Sequence, residues 1–104
     1  MTAFSAALDL MFEDPHMAED ALWRAGGAGT GVPVRIALAT PDEEVRWRET
    51  RLLSQAVVIE VRVSEVAVLA KGDTFEAVGS VYEIMGDPRR DDLGLSWRGE
   101  ARAL

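Results

Sequence analysis

The sequence predicts a mainly β protein, a small antiparallel β-barrel or sandwich of about six strands with a short N-terminal helix. Three observations predict it. Apolar and polar residues alternate through several short runs, the pattern of strands with one buried face. Clusters of Gly, Pro and Asp separate those runs. No strand–helix alternation appears, which disfavours a parallel α/β fold. The 104 residues fit one domain, and 48% apolar composition is too high for a disordered chain. Residues 1–16 read as helix and linker, and 17–104 as the β body, with a long charged loop at about 40–52.

In the first segment Phe4, Leu8, Met11 and Phe12 fall at i, i+4, i+7 and i+8, one stripe of a helix. Thr2 suits an N-cap, and Pro15 disfavours helix at Asp14. About ten residues make no stable helix alone in water, so the stripe must pack on its own domain or on a partner. Ala21-Leu22-Trp23 leads into a glycine tract, Gly26 to Gly31, read as a flexible connection to the next strand. That strand places Val32, Val34, Ile36 and Leu38 on one face. Val57, Ile59, Val61 and Val63 mark another. Phe75 to Val78 and Val81 to Ile84 flank Gly79-Ser80, a common hairpin composition. The last run sets Leu93, Leu95, Trp97, Gly99, Ala101 and Ala103 against Gly94, Ser96, Arg98, Glu100 and Arg102.

Composition removes several classes of function. The absence of cysteine excludes disulfide scaffolds, thiolate metal sites and cysteine nucleophiles. A net charge of −7, with Lys71 and ten arginines facing eighteen carboxylates, disfavours non-specific nucleic-acid binding by the whole chain. The start shows no basic segment before a long apolar run, and no stretch approaches the roughly 20 apolar residues of a membrane span. The expectation is a soluble protein made in the cytoplasm, with no membrane association.

Catalytic and cofactor signals are weak. The glycine tract lacks the G-x-G-x-x-G register and the Gly-Lys-Ser/Thr ending of phosphate loops. His16, the only histidine, lies among Glu13, Asp14, Glu19 and Asp20, which read as solvated linker charge rather than a metal site. No serine has a G-x-S-x-G setting, and Asp91-Asp92 reads as a solvated turn. The expectation is no enzyme, no cofactor and no metal. Docking is the stronger reading. Trp47 sits among Arg46, Arg48, Arg51, Glu43 and Glu44 in the charged loop, where it either folds back onto the barrel or docks a partner, since tryptophan with arginine anchors interfaces more than other types. Arg89 and Arg90 lie in a second charged loop, a solvated turn between strands or a further docking element, and Phe4, Leu8 and Phe12 form the helix stripe. A generic β-barrel module binding protein or nucleic acid is the alternative; a nucleic-acid face would concentrate basic and aromatic residues.

The order of features carries a resemblance. Met11-Phe12-Glu13-Asp14-Pro15 ends the helix, and a glycine-rich hairpin and a Pro-Asp-Glu-Glu loop follow. Val61-Arg62-Val63-Ser64-Glu65-Val66, Lys71-Gly72-Asp73-Thr74-Phe75 and a strand around Leu95-Ser96-Trp97 complete it. Together these resemble the lambda-type head–tail joining proteins of long-tailed bacteriophages, also found in prophages and gene transfer agents. The resemblance implies a small β body with a mobile N-terminus and a long mobile loop, both ordering on assembly as a ring in the virion neck. It implies portal or adaptor proteins of the head and tail-terminator or tail-tube proteins as partners. DNA would pass through the ring without tight binding, and no catalytic centre would be present.

Overall fold

A computed structural model describes residues 3–39 and 56–104. It contains one helix, α1 (Ala3–Glu13), and seven strands: β1 (Glu19–Arg24), β2 (Val32–Ala39), β3 (Ala56–Arg62), β4 (Thr74–Ala77), β5 (Ser80–Ile84), β6 (Arg89–Arg90) and β7 (Ser96–Ala103). Six strands pair in the cycle β1-β2-β3-β7-β5-β4 and back to β1, each pair antiparallel, so the sheet closes into a barrel. Closure leaves none of the six with a free edge. The seventh, β6, adds to β7 beside β5. β7 is the keystone: it pairs with β3 from Ala56↔Arg102 to Arg62↔Ser96, and its other side serves β5 and β6 in turn.

The alternating runs are the barrel walls. Val34 and Ile36 on β2, Ile59 and Val61 on β3, and Phe75 on β4 point inward and are buried. Each such side chain contributes roughly 1.5–3 kcal/mol by leaving water. Small residues complement the large ones, as narrow barrels require. A Cβ added at Gly99 would lie 3.4 Å from both Ile84 Cδ1 and Pro88 Cβ, in van der Waals contact, so β7 passes close against both side chains there. Val66 and Leu69, from the connection between β3 and β4, complete the core. That connection is tied down where the Trp97 indole Nε1 donates to the Val66 carbonyl at 2.9 Å.

Alanine and leucine, good helix formers, occupy five of the eleven positions of α1. The helix stops at Asp14-Pro15: Asp14 Oδ1 accepts the His16 N–H, and the Asp14 carbonyl accepts from Met17 and Ala18. This places His16 in a turn rather than in a ligand cluster.

Four details depart from the sequence expectation. The β4–β5 hairpin turns on Val78-Gly79, one residue earlier than Gly79-Ser80, because Ser80 already pairs with Ala77. Both turn residues have positive φ, +52° and +76°, the requirement of a type I′ hairpin. The last strand begins at Ser96, not Leu93; Asp91 Oδ1 accepts the Leu95 and Ser96 N–H groups and holds a turn there. Arg89-Arg90, read as loop, forms β6. The glycine tract is anchored along its length, since the Gly26 N–H donates to Asp73 and Arg24 Nε donates to the Gly29 carbonyl.

Candidate docking site

Two outward-facing arginines on adjacent strands, Arg35 on β2 and Arg62 on β3, seat α1 on the barrel. Arg62 donates to Asp9 of the helix at 3.0 Å and to Glu65 at 2.8 Å, while its guanidinium lies over the Phe12 ring, 5.1 Å from the centroid. Arg35 Nε donates to the Phe12 carbonyl at 2.9 Å, and its other nitrogens reach Ala18 O and Asp20. A cation on a last-turn carbonyl satisfies an orphan acceptor and complements the helix dipole. Glu65 joins the two halves, accepting from Arg62 and from the Arg35 backbone N–H. Burial opposes the charge on Arg62, but hydrogen bonds and attraction from Glu65 and Asp9 outweigh it, so its pKa is raised above the ordinary value. Arg62 stays charged at any working pH.

Beyond the clamp, the N-terminal half of α1 forms one wall of an open cleft of about 310 Å³. Ser5, Leu8 and Asp9 line it from the helix, and Arg62, Val63, Ser64, Gly94 and Leu95 from the barrel. Phe4, one turn before Leu8, is 66% exposed, and Leu93, next to Gly94 in the chain, is 59% exposed. The cleft thus combines apolar Leu8, Val63 and Leu95 with the Asp9–Arg62 ion pair.

The proposed stripe thus divides. Phe4 is exposed and Leu8 lines the cleft, but Phe12 is completely buried and anchors the helix to its own domain. Arg90 stacks over Trp97 at 5.5 Å and donates to the Gly94 carbonyl, whereas Arg89 is exposed beside Arg98. Glu43, Glu44, Arg46, Trp47, Arg48 and Arg51 lie outside the described residues. Among the described residues no cluster of three or more His, Asp or Glu is placed to hold a metal ion. No described helix is long and apolar enough to cross a membrane.

Sequence reasoning passed over the residues that hold the site together. Arg35, Arg62 and Asp9 look like ordinary surface charges one at a time. A signal was nonetheless present in Val61-Arg62-Val63-Ser64-Glu65-Val66: Arg62 and Glu65 stand three apart and bond to each other. Asp73 of the Lys71–Phe75 stretch acts likewise. Only 4% exposed, it accepts from Trp23 Nε1, the Gly26 N–H and the Ala70 N–H. The stretches that carry the resemblance are thus polar ties between barrel segments.

A family model described as phage head-tail attachment protein matches residues 1–101, nearly the whole chain. The chain belongs to the phage head-tail attachment family. No curated protein matches the chain. Membership assigns a structural joining role in a phage particle, among other head and tail proteins. The match spans α1, the clamp and the cleft.

Proposed function

We propose that this chain sits in the virion neck as a ring that completes the DNA-filled head and presents a surface to the tail. The family match over residues 1–101 carries this reading. Portal or adaptor proteins lie on the head side, and tail-terminator or tail-tube proteins on the other. The cleft beside Leu8, with Phe4 and Leu93 exposed next to its lining residues in the chain, supports docking there, because exposed apolar side chains near a concave surface suit a partner's anchor residue. The charged segment at about 40–52, with Trp47, is the second docking element. The protein is made in the host cytoplasm before it joins the particle.

DNA passes through the ring without tight binding. The acidic balance of the chain supports this, since tight binding draws on lysines and arginines that displace condensed counterions. Nor are the described tryptophans stacking platforms for bases. Trp23 and Trp97 are partly buried against the core, and Arg90 lies over the Trp97 ring. Appreciable DNA affinity of the isolated protein at physiological salt would contradict this part of the reading.

The test uses a phage lacking this gene. Purified protein is mixed with its tailless, DNA-packed heads and its free tails, and joined particles are counted by electron microscopy. Joined particles should rise with added protein; no rise would remove the head–tail reading. A Leu8→Asp variant, placing a charge in the cleft, should lower joining by roughly tenfold or more, the loss expected from one anchor worth about 1.4 kcal/mol.

A further inference from the structure

Val78 is strained at a position where its own fold gains little from it. A two-residue type I′ turn asks for positive φ, which asparagine and glycine adopt readily. Here a β-branched residue sits at φ +52° with its side chain mostly in solvent. Strained backbone of this kind clusters at functional sites, where the side chain is kept for what it contacts. The valine does not stand alone. Leu104, 71% exposed, donates its N–H to the Val81 carbonyl at 2.8 Å, one step past the Tyr82↔Ala103 pair. Tyr82 packs on the core, so strand alternation turns Val81 and Leu104 to the outer face, side by side. Val78, on the turn three residues before Val81, completes an apolar tip at that end of the barrel.

The charges beside this tip are matched. Glu76, opposite Val81 in the hairpin, bonds to Arg24 at 2.9 Å, and Glu83 stands opposite Arg102 in the ladder. These four cancel, so a phosphate backbone or another ionic surface finds no complement in them. An exposed turn of apolar side chains is matched instead by an uncharged, apolar pocket. Its place in the fold also separates the tip from the cleft beside Leu8. Leu95, a lining residue of the cleft, comes just before β7, and Leu104 comes just after it. The eight residues of β7 span about 25 Å, too far for one anchor residue to occupy both.

We infer that Val78, Val81 and Leu104 form a further docking surface, which enters an uncharged apolar pocket on a neck protein other than the one at the cleft. One end of β7 then meets the head side, and the other end meets the tail side. The inference rests on the joining role, and it divides that role between the two ends of one strand.

The test splits joining into its two steps. DNA-packed heads from a phage lacking this gene are loaded with protein and sedimented, and the protein retained is measured. Free tails are then added, and joined particles are counted per loaded head. Val78→Asn should melt no lower than the parent and lose one step by roughly tenfold or more, while Leu8→Asp loses the other. Val78→Ile, which keeps an apolar tip, should perform both steps. Val78→Asn performing both steps, failing at the same step as Leu8→Asp, or melting below the parent would overturn the proposal. So would a Val78→Ile protein that fails as Val78→Asn does. A dimer of the parent in solution that Val78→Asn dissolves would assign the tip to a second copy, and it too would overturn the proposal. Parent protein that neither loads nor joins removes the head–tail reading itself; a parent that joins, with Val78→Asn unaffected, removes only this surface.

Discussion

Val78 is a β-branched residue at φ +52°, a conformation that glycine and asparagine adopt readily and valine does not. Its side chain is 69% exposed, so packing returns little for the strain. Val78→Asn should therefore stabilise the protein by about 1 kcal/mol. In thermal denaturation that corresponds to a rise in Tm of roughly 4–8 °C. Asp73 is the opposite case, a buried acceptor with three donors. Asp73→Ala should cost about 3 kcal/mol in urea unfolding, because the Trp23 indole and two backbone N–H groups lose their partner together. Asp73→Asn, which keeps one acceptor oxygen, should cost less, and the Trp23 indole proton resonance should report which bond survives. Neither role was legible from composition. Gly72-Asp73 signals a turn, but only the folded chain shows that Asp73 reaches back some fifty residues to Trp23. The hairpin composition was legible, yet its register was not, since Gly79 suits either of two adjacent turn positions.

α1 is attached through one buried side chain and a set of charge-assisted hydrogen bonds, while the rest of its apolar stripe faces the cleft or water. Phe12→Ala should cost about 3 kcal/mol, at the low end for a core phenylalanine, because the helix can leave while the barrel stays closed. Arg62→Ala should cost about 2 kcal/mol, a buried-pair value discounted for the exposure of Asp9. In both variants amide exchange should accelerate across α1 well before it does in β3 and β7; uniform acceleration would show that helix and barrel unfold together. The period-3.6 stripe located this helix, and period-2 alternation located β2, β3 and β7. Two-residue β6 lies below the length at which alternation can be read. Phe4, Leu8 and Phe12 share a stripe in sequence, but which end meets the barrel depends on Arg35 and Arg62, which are distant in the chain.

At the scale of the molecule, the barrel is a closed six-strand wall with a helix strapped outside it. Alternation and turn spacing were enough to predict a small antiparallel barrel, but closure itself was not legible, because it depends on β3 pairing with β7 across some forty residues of chain. The joining role came from the order of motifs rather than from any catalytic group, and the family match over residues 1–101 agrees with it. The same long-range pairing governs how the protein comes into being. Until Ser96–Ala103 is synthesised, β3 and β5 each present an open edge, and the inward faces of Ile59 and Ile84 lack their cover. A fragment ending before Ser96 should collect in the insoluble fraction on expression, while the full chain does not. A growing polypeptide of this kind has no partly finished barrel to rest in, and folding waits on the emergence of β7.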